Sequence, residues 1–299
     1  APYRGHEVCG MGPPSSGGVA VAQILGLLEP FDLAALDPQD LTARRLMGDA
    51  TRLAFADRGR YLADSDFVPV PLRGLIAADY LAERADLLRR DDALPEVAPG
   101  QPAWDHAQLW GDDRQVERPA TSHISIVDAA GNVLSMTTTI ESGFGSRLFV
   151  RGFLLNNELT DFSFRSHDGG WPIANRVEPG KRPRSSMAPT IVLRDGAPVL
   201  AIGSPGGATI IGYTVQAIIA HLDWGLDVQE AVSMPHLVNS FGTYALEAES
   251  WAAGMAGELE ALGYRTNVTT LNSGLHAIGI GERLQGGADP RREGIALGE

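Results

Sequence analysis

A single cysteine, Cys9, in 299 residues rules out an intrachain disulfide. Neither a cysteine pair nor a His-x-x-x-His spacing occurs, so nothing supports a structural zinc site. Cys9 reads instead as a small buried residue. No apolar run approaches the roughly 20 residues that cross a bilayer. Basic residues are outnumbered, 24 Lys and Arg against 37 Asp and Glu, and the net charge of −13 argues against a nucleic-acid partner, which needs a basic face. There is no internal repeat, no signal peptide and no initiator methionine, so the chain is expected to be a piece of something longer or a processed product. What is present is an ordinary globular composition, 44% hydrophobic and 20% charged, long enough for one large core or two smaller ones.

The first 92 residues read as helical. Pro13-Pro14-Ser15-Ser16-Gly17-Gly18 is a turn whose serines are placed to cap a helix running to about Glu29. Asp37-Pro38 reads as an N-cap with proline at N1, opening an amphipathic helix to about Leu62. A third helix is expected over residues 76–90. Residues 91–120 are rich in Asp, Pro, Gly and Gln without periodicity and read as a mobile linker or processing loop.

From Thr121 the texture turns to β. Residues 121–128 alternate, 128–132 make a turn and 133–140 return, giving a hairpin with Thr121 at its outer start. A short strand at 153–155 and a Gly/Pro/Arg-rich loop at 165–186 follow, then strands at 190–193 and 199–202 around the turn Arg194-Asp195-Gly196. Gly203-Ser204-Pro205-Gly206-Gly207 opens a helix whose apolar stripe is Ile211, Val215, Ile218, Ile219 and Leu222. A second helix, then a strand pair near 244–249 and 266–281 with a helix between them, complete the chain. This order implies α+β layering around an antiparallel sheet, not a doubly wound parallel one.

Thr121 stands where the polar loop of residues 110–120 gives way to a strand. Cutting the Ala120–Thr121 bond would give it a free α-amine beside its own hydroxyl. An α-amine titrates at about 7.7–8.0, so one residue would supply nucleophile and base together. A threonine at a strand start is also explained by β propensity alone.

Four clusters follow, each with an ordinary reading of its own. Thr137-Thr138-Thr139-Ile140-Glu141 ends the second hairpin strand near Thr121, and is good strand material. Glu158 and Asp161 stand three residues apart, as a recognition pair or a solvated helix start. Lys181-Arg182-Pro183-Arg184-Ser185-Ser186 joins basic residues to a serine pair, as a site or an exposed basic loop. The glycines at 203–207 put successive N–H groups at a helix start, as an oxyanion site or a tight turn; a phosphate cradle would need a Gly-Lys-Ser/Thr that is absent. Trp171, Pro172 and residues 175–179 are expected to form a flap over the pocket or an ordered surface loop. A Ser/His/Asp triad built from Ser122 or Ser125 with His123 is the poorer reading, because adjacent strand residues face apart. His123, two residues after Thr121, points to the same face of an ideal strand.

In this order and spacing the clusters resemble the γ-glutamyltransferase family of N-terminal nucleophile hydrolases. The resemblance runs from Pro13-Pro14-Ser15-Ser16-Gly17-Gly18, similar to a late large-subunit motif, through a segment from Thr121 onward that looks like the whole small subunit. It implies self-cleavage before Thr121 into two subunits and an αββα sandwich, incomplete here because the front of the large subunit is absent. Residues 1–120 then match the end of the large subunit and 121–299 the small one.

The resemblance makes Thr121 the nucleophile, Thr139 the threonine bonded to it, and Gly206 and Gly207 the oxyanion hole, whose N–H groups meet developing negative charge. Glu158 and Asp161 match holders of a substrate α-amino group, and Ser185 and Ser186 donors to its α-carboxylate. Glu141 stands where many members carry asparagine and can pair with the same ammonium. The family's carboxylate-gripping arginine lies in the absent part. The implied reaction is γ-glutamyl transfer from glutathione or a related compound to water or an amino acid, with no metal or organic cofactor, in a periplasmic or secreted enzyme. A dicarboxylic β-lactam acylase shares the machinery and is the alternative; an inert, uncleaved fragment is the non-enzymatic one.

Overall fold

The computed structural model describes residues 1–113, 115 and 120–298. In chain order the elements are β1 (Pro2–Tyr3), β2 (His6–Gly10), α1 (Gly17–Leu28), α2 (Leu41–Tyr61), α3 (Leu72–Leu75) and α4 (Ala78–Asp86). Then come β3 (Ser122–Val127), β4 (Val133–Thr138), β5 (Phe149–Val150), β6 (Phe153–Leu154), β7 (His167–Asp168) and β8 (Trp171–Pro172). β9 (Thr190–Arg194) and β10 (Ala197–Gly203) precede α5 (Ile210–Leu222) and α6 (Val228–Ser233). β11 (Leu237–Val238), β12 (Thr243–Glu247), α7 (Trp251–Gly254), α8 (Ala256–Ala261), β13 (Arg265–Thr269), β14 (His276–Ile280) and β15 (Leu284–Ala288) close the order.

Six strands form one antiparallel sheet in the order β1-β2-β9-β10-β14-β15. Close approach at two glycines shows what covers each face. A side chain on Gly203 would run into the ring of His123 on β3, so the β3–β4 hairpin packs on that side. Gly203 pairs with His276, and Gly279, three residues along β14, points the opposite way into Val228 of α6. Helices α1, α5 and α6 therefore lie on one face and the hairpin on the other. The core runs through Ile24 and Leu28 of α1, Leu53 of α2, and Ile211 and Ile218 of α5, to Val192 and Ile202 of the sheet. A smaller core gathers Tyr244, Leu246, Leu259 and Tyr264 around β11-β12-β13. The hairpin's outer residues Ile124, Ile126, Leu134 and Met136 are exposed.

The α+β reading holds, and the hairpin forms with Ser122 opposite Thr138. Several local expectations give way. Residues 2–3 and 6–10 are strands, not helix: His6–Gly10 pairs with Thr190–Arg194. The second helix starts at Leu41 because Asp40, not Asp37, accepts from Thr42 N and Ala43 N at 2.7 and 3.4 Å. Asp37 instead holds Gln39 N at 2.7 Å. The third helix is shorter, Ala78–Asp86. Ser16 occupies the N-cap of α1 without a side-chain cap bond, since its hydroxyl is engaged elsewhere. The strand expected over 266–281 divides into β13, which runs parallel to β12, and β14, which joins the large sheet. The described part of 91–120 is anchored rather than loose. Ala93 N bonds Leu262 O, Leu94 N bonds Asp49, Gly100 N bonds Asp57 and Asp113 N bonds Gly59 O.

Candidate active site

Thr121 lies one residue before the first pair of the β3–β4 ladder. Its hydroxyl donates to the carbonyl oxygen of Ala120 at 2.5 Å. Thr139, just past the end of β4, donates to the same oxygen at 2.6 Å. The pairing of the hairpin, Ser122 opposite Thr138, is what brings residues 18 apart in sequence onto one peptide group. Thr139 Oγ1 also accepts the N–H of Glu141 at 2.9 Å.

Glu141 is buried, at φ 70, and turns its carboxylate toward Ser142 Oγ at 2.6 Å and the Asn157 amide. Asn157 ties this corner to the next segment, because its N–H bonds Ile140 O at 3.1 Å and its side-chain oxygen takes Ser142 N at 3.0 Å. Glu158 and Asp161 open and close the 3₁₀ turn that follows.

The serine pair sits on a buried lattice. Arg184 is 1% exposed, and its guanidinium pairs with Asp113 at 3.1 Å and bonds Arg58 O. Asn175 takes Arg184 N at 2.9 Å and donates to Asp113 and to Asp161 O. Arg58, on α2 and equally buried, donates to Ser16 Oγ at 2.8 Å and Ser186 Oγ at 2.6 Å. Ser16 Oγ bonds Ser185 O at 2.6 Å and Ser15 Oγ bonds Met187 O at 2.5 Å, so the Pro13–Gly18 motif clamps the serine segment. Burial depresses the Lys181 ammonium, which bonds Ala174 O and Glu178. The segment is thus no exposed basic loop; only Arg182, on Asp64 and Asp66, reaches out.

Gly206 and Gly207 adopt φ 141 and 58, conformations closed to most side chains, and lead through a 3₁₀ turn into α5. Thr209 Oγ1 bonds Gly206 O at 2.7 Å and fixes the turn.

One small pocket gathers nearly all of these groups. It is lined by Ala120, Thr121, Thr139, Glu141, Glu158, Asp161, Ser185, Ser186, Met187, Gly207 and Ile210. Of the nine site residues expected from sequence only Gly206 is not on its wall. A larger cleft of 740 Å³ between α2, residues 94–99 and the 240–242 turn contains none of them. The small pocket sets two hydroxyls on a peptide carbonyl, with acidic and hydroxylic groups around it. Such a lining suits a molecule bearing both an ammonium and a carboxylate.

Trp171 and Pro172 pair with His167 and Asp168 in a small hairpin and do not line the pocket, which agrees with the ordered surface loop rather than the flap. His123 turns inward between hairpin and sheet, where it meets Thr137 Oγ1 at 2.8 Å and Ser125 Oγ at 3.1 Å. Burial, then the charge of His276, pushes its pKa down to about 3. Ser125 and His123 do touch, yet the ring's other nitrogen meets a threonine where a triad has a carboxylate. Arg114, Val116, Glu117, Arg118 and Pro119 of the loop before Thr121 lie outside the described residues. Among the described residues no His/Cys/Asp/Glu cluster has metal-binding form. Sequence reasoning missed Arg58 and Asn157, and placed Asn175 in a flap or surface loop instead of beneath the serine pair. Each acts through a contact distant in sequence that no spacing encodes.

The family model described as Gamma-glutamyltranspeptidase matches residues 1–299. The glutathione hydrolase proenzyme of Bacillus subtilis (strain 168) is 38% identical over 309 residues, covering 99% of this chain and 51% of its own. The acylase ACY 1 proenzyme of Pseudomonas sp. (strain SE83) is 34% identical over 300 residues, covering 99% and 50%. Among solved structures, the gamma-glutamyltranspeptidase from Pseudomonas nitroreducens complexed with L-DON is 34% identical with TM-score 0.53, matching 60% of this chain and 99% of that one. The chain spans about half the length of the curated relatives it matches.

Proposed function

The chain belongs to the gamma-glutamyltranspeptidase family, and from that premise we propose that it carries the catalytic half of a γ-glutamyl transferase and hydrolase. Thr121 is the nucleophile. Its Oγ attacks the Ala120 carbonyl, the acyl group shifts from nitrogen to oxygen, and water hydrolyses the ester. That sequence frees the amine of Thr121 and divides the chain into a large-subunit end and a small subunit. The amine then serves as base while Oγ attacks the γ-amide of glutathione or a similar compound. The N–H groups of Gly206 and Gly207 receive the oxyanion, and the leaving amine takes the proton. The γ-glutamyl ester on Thr121 is resolved by water or an amino acid. Glu141, Glu158 and Asp161 face the substrate's ammonium, and Ser185 and Ser186 its α-carboxylate.

One observation carries the reading: two threonine hydroxyls converge on the carbonyl of the bond to be cut, inside a pocket walled by Glu141, Glu158, Asp161, Ser185, Ser186 and Gly207. In the fuller protein we place further layers of an αββα sandwich over the exposed apolar face of the β3–β4 hairpin. A dicarboxylic acyl substrate is the second reading, favoured by the similarity to an acylase proenzyme. The three carboxylates weigh against it, since they repel a bare acyl carboxylate.

The test is a gel and mass analysis of the intact protein with a γ-glutamyl anilide and a glutaryl amide as substrates. The expected result is a fragment beginning at Thr121, turnover of the anilide, and loss of both in Thr121→Ala. Full activity in Thr121→Ala would end the proposal, and preference for the glutaryl amide would select the acylase reading.

A further inference from the structure

Thr121 sits outside the β3–β4 ladder, so its own carbonyl is not held by β4. Arg292 takes it: Nη1 donates to Thr121 O at 3.1 Å, and Nη2 donates to Asn272 O at 3.0 Å. The guanidinium thus bridges the residue after the scissile bond to the loop before β14. The remaining Nε is buried and has no acceptor among the described residues, so the two carbonyl bonds set the orientation of the group.

The stem of Arg292 is equally constrained. A side chain at Gly274 would stand 2.8 Å from Arg292 Cδ and 2.7 Å from Pro205 Cγ, so the arginine stem and Pro205, the residue before Gly206, together close the space that a Gly274 side chain would fill. The segment that bears Arg292 is anchored just before it. Asp289 accepts from Ser273 Oγ, from Leu275 N at 3.2 Å, and from Arg291 N at 2.9 Å. Arg291 in turn pairs with Glu247 at 2.7 Å, and His236 Nε2 meets Ser273 Oγ at 2.7 Å. Arg292 therefore projects from a buried network, unlike a free surface arm.

We infer that Arg292 is a positioning residue for the nucleophile, replacing the restraint that Thr121 loses when the bond before it is cut. This rests on the reading of Thr121 given above. Before cleavage the chain holds Thr121 from both sides. Afterwards the amine end is free, and the carbonyl is the remaining backbone group by which the residue can be oriented. A guanidinium bridging two carbonyls fixes that orientation, keeping Oγ aimed at the acyl carbon and the amine beside it. A small misplacement of a nucleophile costs up to about a hundredfold in rate.

The experiment compares Arg292→Gln and Arg292→Lys with wild type in the intact protein, measuring kcat and KM for a γ-glutamyl anilide and the rate of self-cleavage. The expected result for R292Q is a kcat lower by about tenfold to a hundredfold, KM within about twofold, and self-cleavage much less affected. R292K should recover part of kcat, because one ammonium keeps the charge but not the two-carbonyl fork. If R292Q does not fold, R292K alone decides, with a severalfold lower kcat expected. Wild-type kcat in the folded variant, or a rise in KM that accounts for the whole loss, overturns the inference. A wild type with neither cleavage nor turnover overturns the Thr121 reading and this one with it. An active wild type matched by R292Q overturns this one alone.

Discussion

Thr139→Val removes one hydroxyl while keeping the branched shape that suits the end of β4. In the ground state two donors rest on the Ala120 oxygen, Thr121 Oγ1 at 2.5 Å and Thr139 Oγ1 at 2.6 Å. They are not equivalent once reaction begins. Thr121 cannot donate to that oxygen and attack its carbon at once, so negative charge developing there falls to Thr139. Removing a donor of this kind costs on the order of 10²–10³ in rate, about 2.7–4 kcal/mol of barrier. The same change strands the Glu141 N–H, which gives 2.9 Å to Thr139 Oγ1 beneath a buried side chain. An orphaned buried donor costs about 1–3 kcal/mol of stability. The variant should therefore mature at least a hundredfold more slowly and melt several degrees lower. Thr139→Ser, which restores the hydroxyl, should recover both. A timed gel series with intact mass follows the first quantity, and a thermal melt the second. Self-cleavage of Thr139→Val within about threefold of wild type would refute the assignment of the oxyanion to Thr139.

Three further outcomes are expected. His123 is neutral in the fold down to about pH 3 but takes a proton near 6.5 when unfolded, so its contribution is complete above 6.5 and is lost as pH falls toward 3. Urea titrations should show wild type losing about 1 kcal/mol more than His123→Gln between pH 6 and 5, while buried His236, also held neutral, contributes a slope of its own to both proteins; equal losses would refute it. Gly206→Ala places a methyl 2.8 Å from the Tyr213 ring and 2.9 Å from Thr209 Oγ1 at φ 141, so turnover should drop at least about a hundredfold, read as kcat on folded protein. Asp113→Ala removes the carboxylate that the Arg184 guanidinium and the Asn175 amide share and should cost about 1–3 kcal/mol, whereas a melting point within a degree or two of wild type would show the pair to be dispensable.

What was legible in the sequence was local. The apolar stripe of α5 and the alternation of the β3–β4 hairpin depend on residues a turn or a strand apart, and both elements form where expected. Strand β2 was not legible, because five residues mean little until their partners at 190–194 are known. Asp37 and Asp40 are equally good caps by type, and the choice fell to Asp40 through its bonds to Thr42 and Ala43. Lys181 and Arg184 left a site and an exposed basic loop both open, because charge normally seeks water; a carboxylate at Asp113 and the carbonyls of Arg58 and Leu62 at the end of α2 make burial of Arg184 tolerable.

By itself the sequence determined the chemistry available: a threonine at a strand start, a second threonine, carboxylates, a serine pair and two glycines, in an order that points to one family. Reading residue types and short spacings can go that far, because they fix periodicity and functional groups. Tertiary structure decided which atom those groups serve. It set both hydroxyls on the Ala120 carbonyl, put Arg58 beneath Ser186, and drew Arg292 onto the carbonyl of Thr121 from 171 positions away. Contacts of that separation are fixed by packing of the sheet against its helices and hairpin, and no local pattern carries them.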